Sequence, residues 1–236
     1  MDLIEKKDGV INRHPWELSR LDSLIKEIRK YHNKGLILDI GCGDSFFDKN
    51  LLESNINISK LYGVDIYLKK KIDIKKYYAV NDYDKLNGKK FETILMFDVL
   101  EHIEDDELFL NETVSALLKD NGKIIMTVPA HQFLFSKHDT FLKHYRRYNI
   151  KMIKELCVKT NYKIVNYHYF YFSLFIFRLL FRNKGNEVSN WGYSENAFIT
   201  KFIRTVLNID YMFSKLMGRL SMGLSLFVVL EKDINQ

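Results

Sequence analysis

Ile37-Leu38-Asp39-Ile40-Gly41-Cys42-Gly43-Asp44-Ser45 is the stretch whose reading decides the fold. A short apolar run closes on an acid and two glycines, and a segment with Phe47, Leu51 and Leu52 on one face follows at once. This is the pattern of a strand turning sharply into a helix, with glycine allowing a tight bend and a close approach to a ligand. The helix N-terminus behind the turn offers unpaired N–H groups and a partial positive charge, with Asp44 placed to cap it. The weight of a Gly-x-Gly turn depends on what stands at the expected distances downstream.

Leu61-Tyr62-Gly63-Val64-Asp65 reads as a second strand ending in an acid, and Asp65 falls 22 positions after Gly43. A carboxylate at that distance meets a ribose hydroxyl in dinucleotide-type half-folds. Lys69, Lys70, Lys71, Lys75 and Lys76 follow and read as a solvated face rather than an anion site. Tyr78-Ala79-Val80-Asn81 is a short third strand with Asp82 at its end, and Leu86-Asn87-Gly88-Lys89 is a turn. Phe91 to Phe97 is a fourth strand, continued by Asp98-Val99-Leu100-Glu101-His102. The acids from Glu104 to Glu107 then favour a helix N-terminus. Leu110, Val114, Leu117 and Leu118 mark that helix's inner face, and Asn121-Gly122 is expected to stop it. Lys123 to Val128 is a fifth strand, ended by Pro129. Upstream, Pro15 suits the first turn of a helix on which Leu21, Leu24, Ile25 and Ile28 recur until Asn33-Lys34-Gly35.

Alternation of strand and helix predicts a parallel sheet with helices on both faces, and ligands in such sheets sit beyond the strand C-termini. Asp39, Asp65, Asp82 and Asp98 all fall at that edge. Acids in that position are a poor core and a sensible polar rim to a pocket.

The chain has 236 residues, 47% of them apolar, which fits one α/β domain and excludes a disordered chain. Two cysteines, Cys42 and Cys157, exclude a disulfide framework and point to a reducing, cytoplasmic setting. Cys42 reads as a small filler in the turn. A net charge of +6 suggests an acidic partner (a phosphorylated substrate, nucleic acid or a membrane surface) without choosing among them. The charged N-terminus argues against a signal peptide. The longest uncharged apolar run, Ile164 to Phe177, is short of the roughly 20 residues a spanning helix needs.

Taken together, these residues resemble a class I S-adenosylmethionine-dependent methyltransferase of the small-molecule group. Asp39-Ile40-Gly41-Cys42-Gly43 matches the first motif of that family, Gly63-Val64-Asp65 the second, and Phe97-Asp98-Val99-Leu100-Glu101-His102 the fourth-strand motif. Asn121-Gly122-Lys123 to Pro129 resembles the strand that follows. Phe46 stands where a dinucleotide fingerprint has its third glycine, which disfavours a pyrophosphate cofactor and weighs against the alternative, an NAD or nucleotide-sugar oxidoreductase. A catalytically silent subunit that binds the cofactor is a further alternative. The resemblance implies a Rossmann-like seven-stranded fold, mainly parallel with the last strand antiparallel, over a single domain of residues 1–236. Tyr162 to Tyr171 resembles the sixth strand and Gly223 to Leu230 the seventh. By the same resemblance S-adenosylmethionine has its methionine part at Gly41 and Gly43, with Asp39 orienting the turn or meeting the amino group. Asp65 would bind the ribose, Asp82 the adenine amine, Ile66 and Tyr83 the faces of the ring, and Phe97 and Asp98 the methionine end. Residues 1–33 resemble a helical lid, with Arg20 a candidate for the cofactor carboxylate. The alternative for His14-Pro15-Trp16-Glu17 is a hydrophobic staple, with Trp16 packed on the core.

The acceptor side is expected past Pro129, in the polar run from Ala130 to Asp139 and in His144-Tyr145-Arg146-Arg147-Tyr148. In one reading His131, His138 or His144 is a general base, while Asp139, Tyr145, Arg146 and Arg147 orient an anionic acceptor. In a second, His131, His138, Asp139 and His144 hold a metal; no pair has a tight ligand spacing, so no metal is expected. In the third, these residues brace a loop, with the adjacent arginines pointing apart. Asn149 caps the next helix. Residues 174–220 form an apolar and amphipathic insertion that is a substrate cap, a homodimer surface or a peripheral contact with the inner membrane face, with a loop around Gly185 to Gly192 expected to move. The expected reaction is O-methylation of a small anionic acceptor, a phosphorylated sugar or surface-polysaccharide precursor. Nucleic acid is not expected as a partner, because no Asn/Asp-Pro-Pro-Tyr-like motif follows the fourth strand.

Overall fold

Strand and helix alternate as the apolar pattern requires. The computed structural model describes residues 13–86, 88–180, 196–217 and 222–233. Along the chain run α1 (Pro15–Tyr31), β1 (Gly35–Ile40), α2 (Phe46–Glu53), β2 (Ile58–Val64), β3 (Ile72–Ile74), β4 (Tyr77–Val80) and β5 (Phe91–Phe97). After them come α3 (Asp106–Leu108), a π-turn (Phe109–Val114), α4 (Ser115–Leu117), β6 (Leu118–Pro129), α5 (Lys137–Phe141) and α6 (Ile150–Lys159). The last elements are β7 (Tyr162–Phe170), α7 (Phe172–Leu180), α8 (Ala197–Leu216) and β8 (Ser225–Lys232).

The strands form one sheet in the order β3-β4-β2-β1-β5-β6-β8-β7. β8 runs antiparallel to both β6 and β7, and β3 antiparallel to β4; the other pairs are parallel. This is the mainly parallel, Rossmann-like sheet expected. Period-2 alternation in strands buried on both faces builds two cores. Ile37, Leu61, Leu95, Ile125 and Phe227 face α1, α2 and α8. Leu38, Val64, Ile94, Met126 and Val228 face the π-turn and α6. The strand order reverses at β1, so the crevice beyond β1 and β5 is where a ligand fits.

Three expectations need correction. The sheet has eight strands rather than seven, because Ile72-Asp73-Ile74 forms an edge hairpin with β4 inside the lysine-rich run. Charge concealed the alternation there, and lysines on an edge strand also discourage pairing with other chains. Asn121-Gly122 does not cap a helix; β6 already begins at Leu118, and these residues lie where its pairing with β5 slips. Asp44 is not the N-cap residue of α2. Ser45 is, with φ 62°, while Asp44 accepts a hydrogen bond from the Phe46 N–H at 3.2 Å. The Gly185–Gly192 loop, Asn87 and residues 1–12 lie outside the described residues.

α8 packs on α1 through polar contacts. Arg204 forks onto Asp22 at 2.8 and 2.6 Å. Glu27, with 1% of its surface exposed, accepts from Tyr211 and pairs with Lys30 and Lys215. The outward side of α8 exposes Phe198, Phe202, Ile209, Met212 and Leu216. Among the described residues no helix is long and apolar enough to cross a membrane.

Burial pushes the Glu27 carboxyl up, but Lys215 and Lys30 outweigh it and hold it below its ordinary range. A depressed acid adds stability above its unfolded pKa and loses it as pH falls through the folded one. Glu27→Ala should therefore lower stability at pH 7 by about 2–4 kcal/mol. Urea melts at pH 7 and pH 3 should show the deficit shrinking at the acid end.

Candidate functional site

The turn after β1 is built from left-handed residues, Gly41 at φ 75°, Gly43 at 55° and Ser45 at 62°. The Gly41 N–H donates to the Val64 carbonyl at 2.8 Å, tying the turn to β2. A Cβ on Gly41 would lie 2.6 Å from Val99 Cγ2, so both the conformation and the space demand glycine. Gly63 makes room for Cys42, whose Sγ would stand 2.8 Å from an added Cβ. Burial raises the Cys42 thiol far above its usual range, so it is a filler and not a nucleophile. The Phe46 ring lies 4.2 Å beneath the Arg13 guanidinium, and Arg13 also pairs with Asp44, so the residues just before α1 rest on the turn.

Acids ring this turn. Asp39, 3% exposed, stands against fully buried Asp48, which accepts from Tyr77 Oη at 2.5 Å. Burial, then the neighbouring carboxyl, lifts Asp39 well above its ordinary range, and burial lifts Asp48 to about 7. The pair therefore shares a proton near neutral pH. Asp65 accepts from the Gly43 N–H at 2.9 Å and the Tyr67 N–H at 2.8 Å, which holds it beside the glycine turn. Asp82 is exposed and accepts from the Asp84 N–H at 3.0 Å, while Ile66 is 67% exposed and Tyr83 half-buried against Phe109. Phe97 meets Phe47 edge-on at 5.1 Å. Asp98 has φ 55°, uncommon outside glycine. It pairs with Arg20 and accepts from Thr127 Oγ1 at 3.1 Å, with the Trp16 ring 5.2 Å from the Arg20 guanidinium. Arg20, the candidate for the cofactor carboxylate, and Asp98, expected at the methionine end, are thus one ion pair. Trp16 joins the apolar cluster beneath α1, as a staple would.

Past β6, His131 has φ 65° and is 8% exposed. Its ring stacks on Tyr169 at 5.2 Å and 9°, with Phe133 at 5.1 Å and Phe175 at 5.2 Å. Its Nε2 is buried with no hydrogen-bond partner among the described residues, and burial lowers its pKa. Asp139 is fully buried and accepts a fork from Arg147 at 2.7 and 3.1 Å, with His144 Nδ1 at 3.0 Å. Arg146 points the other way, onto Asp106 at 2.7 Å. Tyr145 is 51% exposed, and His138 is half-buried in α5. The structure also brings in groups given no role from sequence: Asp48, Thr127, Glu101 and His102. Glu101-His102 was visible as part of a motif; Asp48 carried no signal of its own. Arg178 of α7 donates to Ser136 Oγ at 2.5 Å, and burial and then Arg147 lower its pKa.

Two outcomes follow from these pairs. Arg147→Ala leaves Asp139 buried without its main partner and should cost about 3–5 kcal/mol in a urea melt; a loss below about 0.5 kcal/mol would show that the fork braces nothing. For Asp39 and Asp48 the raised pKa values mean stability falls as pH rises from about 4 towards 7. Asp48→Asn should flatten that slope, and a slope as steep as wild type would disprove the shared proton.

Comparison with known proteins agrees with the geometry. A family described as a methyltransferase domain matches residues 15–188. A ubiquinone biosynthesis O-methyltransferase of Pelagibacter ubique (strain HTCC1062) is 31% identical over 97 residues, covering 36% of this chain and 38% of that protein. One from Rickettsia typhi (strain ATCC VR-144 / Wilmington) is 27% identical over 120 residues, covering 46% and 48%. The chain thus spans less than half the length of these relatives. Among solved structures, a coclaurine N-methyltransferase bound to N-methylheliamine and SAH superposes with TM-score 0.56 at 15% identity, over 96% of this chain and 73% of that one. A Haemonchus contortus phosphoethanolamine N-methyltransferase 2 in complex with S-adenosyl-L-methionine gives 0.56 at 17%, over 90% and 52%; at these identities both speak to the fold. The glycine turn, the acid-tipped strands and the family match over most of the chain set aside the oxidoreductase alternative: the chain belongs to the class I S-adenosylmethionine-dependent methyltransferases.

Proposed function

We propose that this methyltransferase methylates a hydroxyl group on a small acceptor that carries an aromatic ring. The observation that carries the reading is His131, whose Nε2 is buried with no hydrogen-bond partner among the described residues and whose ring packs against Phe133, Tyr169 and Phe175. A flat acceptor suits those rings, and a neutral imidazole suits removal of a hydroxyl proton. The relatives' printed names, O-methyltransferases of ubiquinone biosynthesis, support an oxygen acceptor.

The cofactor reading puts the methionine end at Gly41, Gly43, Arg20 and Asp98, with Asp65 at the ribose and Asp82, Ile66 and Tyr83 around the adenine. Arg20 and Asp98 would then exchange each other for the carboxylate and ammonium of the donor. In the transfer the acceptor O–H proton passes to His131, the oxygen bonds to the methyl carbon, and the carbon–sulfur bond breaks with its electrons to sulfur. A displacement of this kind gains chiefly from alignment and from excluding water.

A narrower second reading keeps the anionic acceptor, a phosphorylated sugar or polysaccharide precursor. Arg178 supports it: its guanidinium has one hydroxyl partner, Ser136 Oγ, and is held near Arg147 and Asp139, so an acid group would relieve its like-charge neighbour.

Labelled S-adenosylmethionine offered to catechols, hydroxybenzoates and phosphorylated sugars separates the two, the first panel being expected to react. His131→Gln should lower kcat by about 10²–10⁴ with cofactor affinity within about twofold of wild type. Full turnover in His131→Gln, or transfer confined to amines, would refute the proposal.

A further inference from the structure

The region between Asp98 and the Asp139–Arg147 pair holds side chains that the methyl-donor site does not use. Glu101, His102 and His144 each bring a ligand atom to within 4.8 Å of the other two. Glu101 has no exposed surface, and neither of its carboxylate oxygens has a hydrogen-bond partner among the described residues. A buried carboxyl without partners is costly unless a proton or a cation neutralises it. The rings of His102 and His144 meet edge to face with centroids 4.6 Å apart. The Tyr145 N–H donates to the Glu101 carbonyl at 2.8 Å, so backbone, and not only side-chain rotamers, holds the two segments together.

We propose that Glu101, His102 and His144 form a site for a divalent cation of the manganese or zinc type, beside the methionine end of the cofactor site. Two imidazoles and a carboxylate suit these borderline ions better than calcium or magnesium. The Asp139 carboxylate on Nδ1 of His144 is the arrangement that orients a histidine to ligate through its other nitrogen. Donor atoms about 2.0–2.2 Å from a zinc ion stand roughly 3–4 Å apart, so the trio must draw in by up to roughly 1–2 Å. Three protein ligands leave positions open to a substrate oxygen. Glu101 lies close enough to Asp98, Arg20 and Arg147 to feel their charges, which puts the site next to the proposed methionine end.

The site stands on this geometry; its role, polarising the acceptor hydroxyl so that its proton leaves more easily, rests on the hydroxyl-acceptor reading. The transfer remains the displacement described above, with one proton released and no change of metal oxidation state.

The test takes the full chain, stripped with EDTA and titrated with Mn2+ alone, with no acceptor present. About one Mn2+ should bind per chain, and spin-echo spectra should show nitrogen coupling from coordinated imidazole. His102→Ala and His144→Ala should each weaken binding at least about tenfold. No stoichiometric binding below about 1 mM, no nitrogen coupling, or histidine variants that bind as wild type would overturn the site. The spectra need only wild-type protein, so a variant that fails to fold leaves the question decidable. Bound Mn2+ without transfer to any hydroxyl refutes the acceptor reading and spares the site; transfer to hydroxyls by a chain that binds no Mn2+ does the reverse.

Discussion

Burial of negative charge at the carboxyl edge of the sheet is the constraint on which the rest of this structure depends. A carboxylate taken from water must be protonated, paired or bound to a cation. Asp39 and Asp48 meet that demand by sharing a proton under the glycine turn. Asp98 meets it with Arg20, and Asp139 with Arg147 and His144. Glu101, with neither oxygen engaged, is the exception that singles out its surroundings.

These solutions also explain the helical decoration. Arg20 comes from α1, so the ion pair at Asp98 holds the N-terminal helix over the end of β5. α1 is in turn held by α8 through Asp22–Arg204 and Glu27–Lys215. Arg20 is thereby tied to α8 through the contacts of α1, while Arg178 of neighbouring α7 donates to Ser136 in the loop that follows β6. α1 and α8 are one assembly on one face of the sheet, although they lie far apart in the sequence.

Local chemistry decided how much could be read from the sequence. Gly41 and Gly43 announce a left-handed turn because no other residue adopts it cheaply, and acids after apolar runs announce strand ends. The sheet and the family were therefore legible. β3 was not, because Lys69 to Lys76 looked like solvent-facing charge and the alternation of Ile72 and Ile74 was too short to weigh against it. Nor was the start of β6, where Leu118 continues the helical spacing of Leu110, Val114 and Leu117 while its backbone has already become extended. On the acceptor side the chemistry was legible as residue types and not as partners. Adjacent Arg146 and Arg147 turn to Asp106 and Asp139 respectively, a choice set by tertiary packing that no spacing rule contains.

The acid-rich edge also bears on direction. S-adenosylmethionine is a sulfonium cation, and the sulfur becomes neutral once its methyl group has left. With the donor bound as proposed, Asp65 and Asp98 would attract it more than the product, so the electrostatic part of binding would fall away as transfer completes. That difference would favour release of the spent cofactor and return Arg20 and Asp98 to each other. The same acids would pull the opposite way on an anionic acceptor, which they repel. An acceptor carrying a phosphate would then have to keep that group away from these acids, towards Arg178, whereas a neutral aromatic hydroxyl would face no such restriction. On charge alone, this edge suits a neutral reacting group with any acidic substituent held at a distance.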